Sequence, residues 1–385
     1  MLRFLTAGES HGPGLVTIVE GLPKGLEVDL EGLSSELTRR RHGYGRGARM
    51  AIERDEVEIL GGVRHRRTLG SPVAVLIRNT EWPRWENVMS PASGDAGNEV
   101  TRPRPGHADL AGMLKYDTDD ARDILERASA RETAARTVAG YLSKRLLAAC
   151  DVTILSHVVA IGSIIAEPLM PRDGDADRID ADPVRCLDPR ASEEMVAAID
   201  RAKEVKDTLG GVFEVVAHNV PVGIGSHVHY DRRLDMLLAG AVMSIPAIKG
   251  VEIGDGFDVA GAPGSRAHDE IVRVEGEVTR ETNRAGGIEG GMSNGQPLRI
   301  RAAMKPISTL MQPLKTIDMS TGEPDQAVRE RSDVCAVPAA AVVGEQMVAF
   351  VLASELSRKF GGDTVEEMSR SVAGYRGRVD LRLGG

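Results

Sequence analysis

Aromatic side chains are scarce in this chain: five Phe, five Tyr and two Trp make up 3% of its 385 residues. Proteins that grip single-stranded nucleic acid stack bases on aromatic platforms, so that class is disfavoured. Any flat ligand must be held largely by aliphatic side chains and backbone groups. Cationic residues are outnumbered, 48 Lys plus Arg against 57 Asp plus Glu, and the net charge of −9 has the wrong sign for a nucleic-acid binder. No run of about 18 consecutive apolar residues occurs, so no membrane partner or spanning helix is expected. The N-terminal MLRFLTAGESHG meets Gly8 and Glu9 before any long apolar run, which argues against a secretory signal. Cys150, Cys186 and Cys335 are widely spaced and fit neither a disulfide framework nor a zinc pattern, so no metal and a cytoplasmic location are expected. A phosphate-cradling G-x-x-x-x-G-K-[ST] loop is missing, which leaves ATP-driven phosphoryl transfer unsupported.

What is present is a chain with 42% hydrophobic residues, punctuated by 43 glycines. Residues 71–79, 212–217 and 297–304 read as strands. Asp29 is placed to cap a helix whose Leu30, Leu33 and Leu37 share a face and which runs toward Arg41. From about Asp119 to Ala149 there is no proline, and Ile124, Ala128, Ala135, Val138, Leu142 and Leu146 form a sustained apolar stripe. Further helices are expected from Asp231 and from near Pro338 to a stop at Gly361 and Gly362. Their Ala and Gly content would let other elements approach closely. Strands and helices do not alternate as βαβ units, so the expected class is α+β, as one domain over 1–385. The Asp- and Pro-rich stretch 167–190 reads as a solvated acidic loop, and 363–385 as a mobile C-terminal tail.

The basic residues are uneven: nine arginines fall between Glu36 and Gly70, which in an acidic protein points to a pocket for a small anion. Four segments could carry chemistry. In GESHG, Gly8–Gly12, flanking glycines leave little bulk around Ser10 and His11. The turn either presents a hydroxyl, an imidazole and backbone N–H groups to an anion, or holds a solvated histidine. In RRRHGYGRGAR, Arg46 and Arg49 add forked, permanently charged donors to a glycine-rich backbone. Arg39, Arg40 and Arg41 fan about 100° apart on the helix, so one or two at most face a common site. In RPRPGHADLAGMLKY, His107 sits where a helix begins, a position that favours the neutral imidazole, either as an available donor or acceptor or as an ordinary helix-entry histidine. Downstream, Arg127 and Arg131 are four apart on one helical face, with the small Ala128 and Ser129 between them for a cofactor edge, unless Arg131 simply pairs near Asp123 or Glu132. In the C-terminal third, the run through Gly290, then KPIST, then RSDVCAVPAAA are suited to close backbone approach by a ligand. Arg331 and Asp333 share one side if extended, either as a functional pair or as a structural ion pair.

Taken together and in order, GESHG, RRRHGYGRGARM, TRPRPGHADLAGMLKY, ERASARET, RAGGIEGGMSNGQP, MKPIST and RSDVCAVPAA resemble the chorismate synthases, from Met1 to about Gly362. The resemblance implies a layer of long helices between two antiparallel sheets and a homotetramer. It implies a carbon–oxygen lyase, the last step of the shikimate pathway toward aromatic amino acids. The reaction is a 1,4-anti elimination that turns 5-enolpyruvylshikimate 3-phosphate into chorismate and phosphate. It is redox-neutral overall, yet requires reduced FMN. On this resemblance His11 matches the acid toward the leaving phosphate, His107 the histidine beside the flavin ring, and Asp333 a carboxylate that manages a proton. Ser10, Arg40, Arg46, Arg49, Arg131 and Arg331 match substrate contacts. Arg127, Ala128, Ser129, Pro246, Ala247, Gly290, Lys305, Pro306, Ile307, Ser308 and Thr309 match positions that hold FMN, as does Arg331. Relatives commonly carry a polar residue where Pro246 stands, and proline has no N–H to offer. Some members of the family also reduce FMN with NADPH, which Arg40 and Arg46 would contact. Without a dinucleotide fold the expected type is monofunctional, supplied by an external flavin reductase.

Overall fold

The computed structural model describes residues 2–47, 54–92, 97, 99–328 and 333–383. Four strands form one antiparallel sheet in the order β1-β2-β4-β3: β1 (Arg3–Ala7), β2 (Gly14–Glu20), β3 (Glu56–Gly61) and β4 (Val73–Arg78). Alternation decides its faces. Leu15, Val19, Val73, Val75 and Ile77 point to the core, while Leu5, Ile18 and Leu60 lie exposed on the outer face. A second antiparallel sheet runs β8-β9-β7-β5-β6, made of β5 (Thr153–Ile161), β6 (Ile164–Ile165), β7 (Gly211–His218), β8 (Ile248–Ile253) and β9 (Leu298–Met304). The middles of β5 and β7 are buried on both faces, as their near-continuous apolar runs require.

The principal helices are α1 (Leu30–Arg41), α2 (Trp82–Met89), α3 (Asp109–Tyr116), α4 (Arg122–Ala128), α5 (Thr133–Ala148), α6 (Ala176–Ala181), α7 (Pro189–Glu204), α8 (Leu234–Met243), α9 (Val337–Phe360) and α10 (Val365–Leu383). Helices α5 and α9 pack on each other, α5 against β2 of the first sheet and α9 against β5 and β7 of the second. Small residues set these distances. A Cβ on Gly140 of α5 would fall 2.2 Å from Gln346 Cβ, and one on Gly344 of α9 would fall 2.4 Å from the Phe213 ring of β7. Helix α9 is long and apolar enough to cross a bilayer, yet 89% of its most apolar window is buried inside the protein. At its centre Glu345 is fully buried, held by Arg39 at 2.9 Å, Lys144 at 2.5 Å and Ser156 at 2.8 Å.

Four local expectations are corrected. The stretch 119–149 is not one helix: Ser129 is extended at φ −60°, ψ 142° and its hydroxyl accepts from Arg131 N, so α4 and α5 are separate. Leu30 leaves the core face of α1, being 49% exposed, while Leu33 and Leu37 are buried. Within 167–190 the chain forms α6, buries Ile179, Val184, Cys186 and Leu187, and ends at Asp188, which caps α7. Most of 363–385 is helix α10, docked through buried Met368 and Val372 and a bond from Ser369 Oγ to Ala149 O.

Candidate active site

The chain reverses between β1 and β2 so tightly that a Cβ on Gly8, at φ +100°, would stand 2.1 Å from Gly14 O. That turn carries Ser10 and His11 to the end of α4. There the buried Glu126 carboxylate accepts from Ser10 Oγ and, through the same Oε2, lies 2.7 Å from His11 Nδ1. Arg122 Nη1 donates to its other oxygen at 3.2 Å. Burial alone would raise the Glu126 pKa, but the bonds from His11 and Ser10 and the charge of Arg122 outweigh it and hold the carboxyl below its ordinary value. Trp85 of α2 stacks on the His11 ring, centroids 4.0 Å apart and planes 28° apart.

Asn79 ties this turn to the arginines. Its Nδ2 donates to Glu9 O and Gly12 O, and its Oδ1 accepts from Arg131 Nε at 3.1 Å. Arg131 also pairs with Asp55, which Arg41 Nε and Arg40 Nη2 approach at 3.4 and 3.6 Å. Arg40 and Arg41 therefore face one carboxylate while Arg39 turns away to Glu345, the division that the helical fan predicts. Arg127 does not share a helical face with Arg131, because the chain breaks between them. Its guanidinium donates to Gly8 O, Thr6 O and Thr6 Oγ1.

A second group forms at the start of α3. Asp109, fully buried, takes bonds from His107 Nδ1 and from Arg104 Nε at 2.8 Å; these bonds and the Arg104 charge override its burial and keep it well below the usual carboxylate range. Arg104 Nη1 donates to Thr309 Oγ1 at 3.0 Å, and Lys305 Nζ to Gly106 O at 2.9 Å, so the KPIST segment closes on the His107 turn. Ile307 O accepts from Thr208 Oγ1, and Lys305 N donates to Ala247 O, placing Ala247 beside Lys305. In a third group, Arg46 Nη1 pairs with Asp333 Oδ2 at 2.8 Å, and Gly45 O accepts from Val334 N. Arg49 and Arg331 lie outside the described residues.

A cavity of about 430 Å³ is lined by Arg127, Ala128 and Pro246 together with Phe4, Arg136 and Met347, a volume within the usual range for ligand pockets. Lys305 makes no ion pair among the described residues and lies near Lys249; burial and that neighbouring cation lower its pKa. Two neighbouring cations with no carboxylate paired to either among the described residues suit a phosphate. Gly290, at φ +58°, has open space where a Cβ would stand. The partly apolar cavity fits the flat ring of the reduced flavin that the motif order implies, with Arg127 and Arg136 as its cations and Glu132 beside them; Lys305 and Gly290 lie outside its lining. Another cavity, about 310 Å³ and lined by Arg39, His42, Tyr44 and Arg185, contains none of the sequence-predicted site residues.

Glu126, Trp85, Asp55, Asn79, Arg104 and Asp109 were not singled out by sequence reasoning. Glu126 and the Arg104–Asp109 pair stand inside motifs already quoted, and an acid embedded among site arginines was the available signal. Asp55, Asn79 and Trp85 carry no local signal.

A family model described as chorismate synthase matches residues 2–356. Over 99% of this chain, 60% of residues are identical to the chorismate synthase of Salinispora tropica across all of that protein. The figures for the chorismate synthase of Thermobifida fusca are 59% identity, 99% of this chain and all of the relative. For that of Streptomyces coelicolor they are 58%, 99% and 99%. A solved structure titled as a crystal structure of chorismate synthase superposes with a TM-score of 0.79 at 42% identity, covering 99% of this chain and 98% of that one. Motif order, fold and comparisons agree: this chain belongs to the chorismate synthase family.

Proposed function

We propose that the protein eliminates phosphate from 5-enolpyruvylshikimate 3-phosphate to give chorismate, with reduced FMN bound. The observation that carries this reading is the linkage of the Ser10–His11 turn to Arg131 through Asn79, and of Arg131 to Arg40 through Asp55. A substrate with two carboxylates and a phosphate needs several fixed cations, and guanidinium forks bind such groups bidentately. Arg40, Arg131 and Arg46, with Arg49 and Arg331, would hold it, and Ser10, its hydrogen given to Glu126, would offer its oxygen to a substrate hydroxyl. His11 would deliver a proton to the departing phosphate, a contribution of ~10²–10⁴ in rate for a positioned acid. His107, oriented by Asp109, and Asp333, clasped by Arg46, would hold or move protons nearer the flavin. Reduced FMN supplies the electron density that makes loss of phosphate possible. Lys305, Pro306, Ile307, Ser308, Thr309, Ala247, Gly290, Ala128 and Ser129 would seat it, and Pro246 would contribute a wall rather than a hydrogen bond.

On this reading the chain is one domain, with α5 and α9 as the middle layer between the sheets, supported by their contacts to each. The protein works as a homotetramer in the cytoplasm; the exposed Leu5, Ile18 and Leu60 on one sheet face, and three buried free thiols, support those two assignments. An external flavin reductase supplies the cofactor, with no NADPH step of the protein's own. The deciding experiment is an anaerobic assay of phosphate and chorismate with photoreduced FMN. Equimolar products with reduced FMN and none with oxidised FMN are expected; no phosphate under reducing conditions overturns the proposal.

A further inference from the structure

We infer that Glu126 and Trp85 are positioning residues for His11, Glu126 fixing the imidazole through Nδ1 and Trp85 fixing its plane, so that Nε2 alone exchanges the proton. The inference rests on the function proposed above. Which imidazole nitrogen acts is decided by what the other one bonds. His11 Nδ1 lies 2.7 Å from Glu126 Oε2, and an ionised carboxylate can only accept. Nδ1 therefore carries a hydrogen whether the ring is neutral or cationic. Ser10 Oγ also donates to that oxygen, so its hydrogen is committed there rather than to Nδ1, 3.2 Å away.

The ring plane is set independently. Trp85 covers one face of His11 at 4.0 Å, leaving the imidazole little freedom to tilt. Arg122 braces both supports, donating to Glu126 Oε1 and lying 5.2 Å from the Trp85 ring centroid. The remaining ring nitrogen, Nε2, is the one left to exchange a proton, with Glu81 Oε2 4.0 Å from it. In the transfer, the Nε2–H bond breaks and leaves its electron pair on nitrogen, while a new O–H bond forms on the departing phosphate. The imidazolium becomes the neutral tautomer protonated on Nδ1, and the bond to Glu126 persists throughout.

The test is a double-mutant cycle on anaerobic turnover with photoreduced FMN, with KM, FMN affinity and melting temperature measured alongside. Glu126→Gln should lower kcat roughly 10²-fold, the scale of misplacing a catalytic group. KM and FMN affinity should stay within about threefold, because ground-state binding is untouched. In a His11→Ala background the same change should alter kcat by less than about twofold, since a residue acting through His11 has nothing left to act through. Trp85→Phe should retain most activity and Trp85→Leu should not, again only while His11 is present. If Glu126→Gln lowers kcat by the same factor with and without His11, or leaves kcat at the wild-type level, the inference is overturned. Should Glu126→Gln fail to fold, the Trp85 pair in both backgrounds decides by the same rule. A wild-type protein that releases no phosphate overturns the function itself, an outcome separate from any pattern among the variants.

Discussion

Arg46 Nη1 stands 2.8 Å from Asp333 Oδ2, and the other oxygen of that carboxylate accepts from Gly47 N at 2.6 Å. The glycine-rich loop after α1 is thus clasped by the segment that leads into α9. A cation assigned to the anionic substrate and a carboxylate assigned to proton handling form one unit. Asp333→Asn keeps the size of the side chain and one acceptor for Gly47 N, but removes the charge and useful basicity. Turnover should fall by ~10²–10⁴, the range for a group that moves a proton, while FMN binding and melting temperature stay near wild type. Steady-state kinetics beside thermal unfolding separate the roles. A lowered melting temperature with turnover intact would make Asp333 a structural clasp for Arg46.

The close approach of α5 and α9 gives a stability prediction. Alanine is a better helix former than glycine by ~1 kcal/mol, so an open site should gain from the change. At Gly344 the new methyl would lie 2.4 Å from Phe213 Cε2, and at Gly140 2.2 Å from Gln346 Cβ and 2.7 Å from its Cα. Overpacking of this kind costs ~1–3 kcal/mol, so Gly344→Ala and Gly140→Ala should both destabilise. Gly374 of α10 has nothing within 4 Å of its Cβ position, so Gly374→Ala should stabilise. Urea denaturation of the three variants checks the opposite signs.

Lys305 gives the cofactor reading a direct test. Its ammonium donates to Gly106 O and lies near Lys249 without a carboxylate partner among the described residues. A phosphate there would relieve the repulsion between the two lysines. Lys305→Ala should weaken FMN binding by ~1.5–3 kcal/mol, the scale of a charged hydrogen bond, as read by flavin fluorescence titration. Riboflavin, which lacks the phosphate, should bind wild type and variant alike. Equal loss for both flavins would mean that the lysine shapes the pocket rather than holding phosphate.

Much of this was legible in the sequence, for physical reasons. The strands β4, β7 and β9 and helices α1, α8 and α9 have strong periodicity or clear caps, so their places were readable. The break at Ser129 was not, because a single extended residue between two apolar helical stretches leaves the 3.6-residue pattern almost intact. Helix α6 was hidden by composition: the Asp and Pro content of 167–190 reads as loop, although Ile179, Val184 and Leu187 are buried. At the site, histidines and arginines were conspicuous by type. Their carboxylate partners were not, since Asp55 and Glu126 meet Arg131 and His11 only through the tertiary fold.

Two further buried carboxylates, Asp109 and Glu345, shape the response to acid. Asp109 is held well below the ordinary range by bonds from His107 and Arg104 that outweigh its burial. Glu345, whose burial would raise it, is likewise held low by Arg39, Lys144 and Arg185. A carboxyl depressed in the folded state binds its proton more weakly there than in the unfolded chain. Its stabilisation is therefore complete above the unfolded value, about 4, and is lost as pH falls through that value toward the folded one. With respect to these groups, the urea midpoint should be flat from about pH 5 upward and drop steeply below about pH 4. Asp109→Asn removes one titrating group, so the variant should be less stable at neutral pH and show a shallower fall in acid. Urea midpoints for both proteins across that range decide it. Parallel curves, displaced but of equal slope, would show that Asp109 does not contribute to the acid transition and that other carboxyls carry it.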